Sequence, residues 1–502
     1  MSKVLFIGID GLDFGILSRW FGNNDLPNIF NVIKEGVKAP LSSVLPINSA
    51  SAWSSLYTGR SPGEHGVFGF TKTLPNSYKR NTTNYNDINA PTFWEIANKT
   101  GAKVGLINCP LTYPPFPIDG FVISGIPIPY NQVWAYPKDL QDKVNDRFGN
   151  YIVDIPWANL ADGVPGTYES FIAQMYQMMR KREEVALYTM KNYPWQIFAI
   201  VFTGSDRILH SFWHFTDENH PFYTEDGGRA FGREIKRYFV LLDEIIGRLV
   251  YHAGKETAVI IASDHGFGPL QYRFHIRTWL AQKGYLVKTS EELENVVVDE
   301  TLKDIDWKKT YAFPASLSES GVWLNLRGRQ PCGIVSESEY EKLRRRIANE
   351  LRSFSQGGLK PIEKVYLREE ALKGKFLVEA PDLLLEPNDG FIVDDSPSEE
   401  IFSFSTAETA THRAIGFFAA MGKAFAKGVA LSELRITDVA PILLTASDLP
   451  IADDIEWTPS EGIFKEKPQI RRIKAEYQRA EVKQSLEEEN AVKRQLKGLG
   501  YL

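Results

Sequence analysis

Residues 257–270 read TAVIIASDHGFGPL. The β-branched apolar run up to Ala262-Ser263 has the composition of a strand buried on both faces. It delivers Asp264 and His265 side by side, followed at once by Gly266. These residues alone leave three readings open: a helix cap, an acid/base pair or half of a metal site. Adjacent residues on a regular strand point to opposite faces. The two can therefore serve one ion only if the strand has ended by Ser263. Gly266 is expected to give the chain freedom to turn after two ligands have converged.

Working outward, similar runs occur at VLFIGI (4–9), KVGLIN (103–108) and QIFAIVFT (196–203). Helical patterns separate them, among them PTFWEIANKTG (91–101) and REIKRYFVLLDEIIGRLVYHAG (233–254), the latter apolar at three- and four-residue spacing. Strand–helix alternation of this kind predicts an α/β fold with a mainly parallel central sheet flanked by helices. Polar residues following such strands lie at the carboxyl edge of the sheet, where open α/β folds bind ligands.

The texture changes after Phe267, with the helical stretch SESEYEKLRRRIANELRSF and β-like pieces such as GVWLNLRG. The expected division is an α/β core over 1–266, an inserted α+β cap region over 267–399, a final core segment over 400–467 and a charged C-terminal helix over 468–502. That last segment reads as a solvated helix packed on the surface or on a partner.

Composition narrows the function classes. Of 502 residues, 43% are hydrophobic and 24% charged, as in a folded globular protein. The net charge of -6 disfavours a stable nucleic-acid complex, which needs Lys and Arg to neutralise phosphates. Two cysteines, Cys109 and Cys332, make no disulfide framework. No stretch reads as a signal peptide, and no apolar run reaches the ~18 residues of a membrane span. The expectation is a soluble, cytoplasmic protein, with a homo-oligomer compatible with everything seen.

The chain has only 8 histidines. His265 follows Asp264 at a strand end. His210 stands four residues after Asp206 in FTGSDRILHSFWHF, so both share one helix face. Asp10 closes the first strand in GIDG, and His412 precedes an apolar run in ATHRAIGFF. Each has a bland reading as a cap, a turn or a loop residue. Together they supply three carboxylates and three imidazoles at the same kind of place, a set that suits zinc and admits manganese.

The stretch PINSASAWSSLYTGRSPGEHGVFGF (46–70) adds a hydroxyl. Ser49 falls at the start of a helical pattern, where the helix dipole and free N–H groups favour a phosphate. It is either an N-cap or a nucleophile that needs activation, for which metal coordination is one route.

The order Asp10, Ser49, Asp206-x-x-x-His210, Asp264-His265, His412 resembles the alkaline phosphatase superfamily. The chain is most similar to its type I phosphodiesterase and nucleotide pyrophosphatase branch. There the nucleophile lies ten residues before the Gly of a TG…P…HG signature, here Thr58-Gly59, Pro62 and His65-Gly66, which points to Ser49. ITDVAPILLTASDLP is similar to the family's closing helix.

The resemblance implies two divalent metal ions. One would be held by Asp206, His210 and His412, the other by Asp10, Asp264 and His265 with the Ser49 oxygen. His65 would be structural. It further implies hydrolysis of a small phosphodiester or phosphoanhydride, nucleotide-type or other, through a covalent phospho-Ser49. A phosphomonoesterase, a phosphonate hydrolase or a phosphomutase fits the same metal core, and a metal-stabilised scaffold is the non-enzymatic alternative. Arg207 and Arg413 adjoin ligands, and either touch phosphate oxygens or turn away into ion pairs.

Overall fold

The computed structural model describes residues 2–501 apart from 23, 75, 130–131, 158–159, 161–165, 291–295, 407, 478 and 480–484. Ten strands form its central sheet: β1 (Val4–Ile9), β2 (Val37–Ser42), β3 (Val104–Cys109), β4 (Gly120–Ser124), β5 (Ala135–Tyr136), β6 (Ile197–Phe202), β7 (Ala258–Ala262), β8 (Ile415–Met421), β9 (Val429–Ala430) and β10 (Leu434–Arg435). Their spatial order is β9-β2-β8-β7-β1-β6-β3-β4-β5, with β10 also pairing β2.

The middle of the sheet is parallel, as expected: β7, β1, β6, β3 and β4 all run one way. Side chains alternate between its faces. Val4 and Phe6 join one core with Trp53, Trp94 and Ile442. Leu5, Ile7 and Ile9 join the other with Met178, Leu209 and Ile245. Every residue of β1, β6 and β7 is buried, which is why these segments read as continuous apolar runs.

Two strands depart from the parallel reading: β5, antiparallel to β4 at one edge, and β8 in the interior. β8 lies between β7 and β2 and runs antiparallel to both. Its amino end therefore meets the carboxyl ends of β1, β6 and β7. This reversal puts residues just before Ile415 at the edge where Asp10 and Asp264 emerge. Register aligns that edge, since Ile9 faces Phe202 and Gly8 faces Ala262. By that register Asp10 steps off the sheet level with Thr203 and with Asp264, one residue past Ser263.

After β7 the chain enters a ten-residue strand, Gly266–His275, outside the central sheet. It pairs antiparallel with Ala410–Arg413 and Phe402–Phe404, and parallel with Gly390–Asp394. Between these lies a four-stranded antiparallel sheet in the order Ala312–Pro314, Gly321–Leu324, Leu383–Pro387 and Ile362–Leu367. The helix Glu337–Ser353 buries Leu343, Ile347 and Leu351 with Ile362 and Val365 in a core of their own.

The charged segment after 468 differs from its expected form. Its helix covers Leu486–Gly498 only, and a short strand, Arg472–Ile473, precedes it. The helix packs through Val492 and Leu496, and the residues after it through Leu499 and Tyr501, all buried in the core shared with Trp53. No helix among the described residues is long and apolar enough to cross a membrane. Cys109 and Cys332 are free thiols.

Candidate metal centre

β7 ends at Ala262, so Ser263, Asp264 and His265 are free of strand alternation. That meets the condition for Asp264 and His265 to face one point. His265 Nε2 lies 3.2 Å from Asp264 Oδ2 and 3.5 Å from Asp10 Oδ1. Asp10 is turned inward by Gly11, whose φ of 74° suits glycine and whose N–H donates to Asp264 Oδ1 at 3.2 Å. Gly266 has a different reason from the expected one. Its φ is not left-handed, but a Cβ there would lie 2.1 Å from the Ile415 carbonyl oxygen. Close approach of two backbones, rather than a turn, demands the glycine.

Two helices supply further members of the site. Helix α1 (Ser49–Thr58) carries Ser49, and helix α2 (Gly204–Thr216) carries Asp206 and His210 on one face. Asp206 sits in the first turn of α2, at the positive end of the helix dipole. Its Oδ2 is 3.3 Å from His210 Nε2 and 3.1 Å from His412 Nε2, and those two nitrogens are 3.2 Å apart. The two halves touch through stacked rings, with His265 and His412 centroids 3.7 Å apart. Asp10, Asp264 and His265 offer ligand atoms within 4.8 Å of one another, and so do Asp206, His265 and His412. His265 therefore stands between the two sets.

Several features suit these residues to cations. Both oxygens of Asp10 and Oδ2 of Asp264 are buried without a hydrogen-bond partner. Three carboxylates with no solvent exposure share the site, an arrangement that costs several kcal/mol per ion unless positive charge is supplied. Burial pushes the Asp264 carboxyl up to about 7, with Asp206 adding to the rise. Burial likewise drives Asp10 well above the usual range, helped by Asp264 and Asp206. Burial opposes ionisation of Asp206 too, but His210 and Arg207 outweigh it and hold that carboxyl well below the usual range.

The imidazoles are oriented for ligation. His265 Nδ1 faces the Gly266 carbonyl at 3.2 Å, so its hydrogen belongs there and Nε2 keeps a lone pair for the site. His210 Nδ1 faces the Ala410 carbonyl at 2.7 Å and Glu408 Oε1 at 3.1 Å, again leaving Nε2 inward. Burial, then His412, holds His265 well below the usual imidazole value, in its neutral form. For His210 burial is outweighed by Asp206 and Glu408, which raise it to about 10. A metal taken up there displaces that proton.

Ser49 is not the cap of α1. Asn48 is, its side chain accepting from the Ser51 N–H at 3.0 Å. Ser49 occupies the first helical position, fully buried, with Oγ 3.3 Å from His265 Nε2. His65 lies away from the ligands, with Nε2 2.9 Å from Ser55 Oγ.

Neither flanking arginine is free. The Arg207 guanidinium donates to Asp154 Oδ2 at 2.8 Å and Oδ1 at 3.2 Å, and contacts Asp206 Oδ1. Arg413 pairs with Asp389 at 2.9 Å and donates to the His412 and Pro269 carbonyls. Each is thus seen in an ion pair.

Three contributors had no sequence signal. Glu408 links His210 to Arg273, whose Nη2 is 2.7 Å from its other oxygen. Asp154 anchors Arg207 from an irregular segment, and Tyr501 reaches Ser49 from the far end of the chain. A cavity of about 80 Å³ opens onto His210 and His412 between Asn48, Ser318, Thr411 and Tyr501.

Residues 4–416 match the sequence pattern of the family described as type I phosphodiesterase / nucleotide pyrophosphatase. The chain belongs to that family. Solved structures bear out the alkaline phosphatase-like fold. The murine ectonucleotide pyrophosphatase / phosphodiesterase 5, as an inactive variant in complex with AMP, aligns with a TM-score of 0.51 at 14% identity over 92% of this chain and 97% of its own. The human counterpart gives 0.52 at 13% identity over 93% and 100%. No curated protein matches by sequence. This member of the phosphodiesterase family thus shares a fold with those two structures at 13–14% sequence identity.

Proposed function

We propose that this phosphodiesterase-family chain hydrolyses small phosphodiesters or phosphoanhydrides, nucleotide-type substrates first among them, through a covalent phospho-Ser49. The observation that carries the reading is the 3.3 Å approach of Ser49 Oγ to His265 Nε2, the nitrogen that also faces Asp10 and Asp264.

Two divalent ions, zinc by the donor set with manganese also admitted, would be held by Asp10, Asp264, His265 and Ser49, and by Asp206, His210 and His412. Bound there, they would lower the pKa of the serine hydroxyl and neutralise phosphoryl charge. The chain's own residues do the rest. α1 aims the positive end of its dipole at the phosphoryl group beside Ser49. Ser49 Oγ loses its proton and bonds to phosphorus as the bond to the leaving oxygen breaks. The leaving group takes a proton from solvent. Water then cleaves the phosphoserine and restores the hydroxyl.

A diester carries one negative charge, whereas a monoester dianion calls for additional cationic groups. Both nearby arginines are committed to carboxylates, which favours the diester. The AMP held by the murine neighbour makes nucleotide substrates the first to try.

The test is turnover of bis-p-nitrophenyl phosphate and p-nitrophenyl phosphate with zinc or manganese. The diester is expected to be the faster, with turnover abolished in Ser49→Ala. Turnover of neither ester, or an unaffected Ser49→Ala rate, overturns the mechanism. A faster monoester overturns only the diester preference.

A further inference from the structure

Tyr501 reaches the proposed nucleophile from a segment that supplies no candidate ligand. Its hydroxyl lies 3.3 Å from Ser49 Oγ and 3.0 Å from Arg207 Nη1. A guanidinium can only donate. Tyr501 oxygen therefore accepts from Arg207, which leaves its single hydrogen for Ser49 Oγ.

The phenol is held from three sides. Its ring packs 4.2 Å from that of Phe70, centroid to centroid. The Arg207 guanidinium sits 5.2 Å from the ring centre and is itself fixed by Asp154. Behind the ring, the backbone is pinned by Trp157. The indole Nε1 donates to the Leu499 carbonyl at 2.9 Å, and the Trp157 N–H donates to the Gly498 carbonyl at 3.0 Å. The same indole stacks on His210 at 5.0 Å. The phenol is thus preorganised and needs no rearrangement to act.

We propose that Tyr501 is a catalytic residue whose O–H donates to Ser49 Oγ and stabilises the negative charge that this oxygen carries once its proton is lost and until the bond to phosphorus takes it up. The inference rests on Ser49 being the nucleophile. Tyr501 keeps its proton throughout. The Oγ–P bond forms, the bond from phosphorus to the leaving oxygen breaks, and the serine proton leaves to solvent. Once esterified, Oγ is a poorer acceptor than it was as an oxyanion. The hydrogen bond is therefore stronger in the deprotonated and partly charged states than on the resting, neutral hydroxyl, and the barrier falls by that difference. The same donor acts again when Ser49 departs from phosphorus in the second step.

The test uses the full chain with zinc, bis-p-nitrophenyl phosphate and rapid-mixing measurement of Ser49 phosphorylation. Tyr501→Phe keeps the ring on Phe70 and removes only the hydroxyl. Phosphorylation is expected to slow by about 10- to 100-fold, with KM within about threefold of the parent. Leu496→Ala serves as the control, since it loosens the carrying helix and leaves the hydroxyl in place. It is expected to lower the melting temperature yet keep phosphorylation within about threefold, measured where both variants are folded. A parental rate in Tyr501→Phe, or equal slowing in both variants, overturns the role of the hydroxyl. Absence of phosphate on Ser49 in the parent overturns the nucleophile reading instead, so the two failures are distinct.

Discussion

Phe267 and His412 are direct partners across two antiparallel strands, with Gly266 opposite Arg413 one step earlier. The strand leaving Asp264-His265 is thereby joined to the strand that brings His412. The sequence separation of the two halves of the centre is thus cancelled by a few ladder hydrogen bonds.

That joint passes over Gly266, and Gly266→Ala should spring it. A Cβ placed 2.1 Å from the Ile415 carbonyl forces backbones apart. The expected cost is about 1–3 kcal/mol of stability in a denaturant melt, together with weaker zinc binding as His412 draws away from His265. Parental stability and affinity in this variant would refute the close-approach argument.

Glu408→Gln tests how His210 is oriented. The change keeps the side chain's shape but removes the charge facing Nδ1 at 3.1 Å. Zinc affinity, measured by competition with a chelating dye, is expected to fall about 10- to 100-fold. An unchanged affinity would mean that the Ala410 carbonyl alone suffices.

Asp154→Ala leaves the buried guanidinium of Arg207 with Asp206 as the one remaining carboxylate partner among the described residues. Breaking a buried pair on one side is expected to cost about 3–5 kcal/mol, read as a lower melting temperature. A loss below about 1 kcal/mol would show the pair to be well solvated.

Stripping metal with a chelator should expose the acid–base imbalance of the site. Folded Asp264 titrates near 7 against an ordinary value of 3.8, and Asp10 is raised as well. The folded state thus binds more protons than the unfolded one from about pH 4 upward, and stability falls as pH rises. His210, raised from 6.5 to about 10, continues the fall at higher pH. His265, with His65, His214, His220 and His275, is depressed by burial and opposes it up to the ordinary value of 6.5. Above that value the fall is unopposed by them, so stripped protein should melt at a higher temperature at about pH 7 than at about pH 9, and zinc should narrow the gap. A melting temperature that rises over that interval would contradict the assignment.

Much of this architecture is legible in the chain. Asp10, Asp206 and Asp264 each follow a run of buried strand residues or start the helix after one, and doubly buried strands advertise themselves by unbroken apolarity. His412 is legible as a ligand, but its delivery is not, because local composition carries no information about strand direction. β2 (VKAPLS) alternates buried and half-buried residues and includes a proline, so it hardly reads as a strand. Glu408 and Asp154 lie in irregular backbone, where no periodicity singles out one acid from another. Tyr501 is obscured by a segment whose charge density suggests solvent, although Val492 and Leu496, four residues apart, bury one face of its helix.

The reversed strand also bears on how the molecule is made. Among the described residues β2 pairs in the sheet with β8, β9 and β10 alone, all built from residues 415–435. On a growing chain, β2 and the outer edge of β7 must therefore wait through synthesis of the whole intervening region with their backbone groups unpaired. Exposed edges of this kind invite pairing with other chains. Arrival of β8 closes both edges at once and, in the same motion, carries His412 to the site. Completion of the sheet and assembly of the proposed metal centre thus become a single late event in folding.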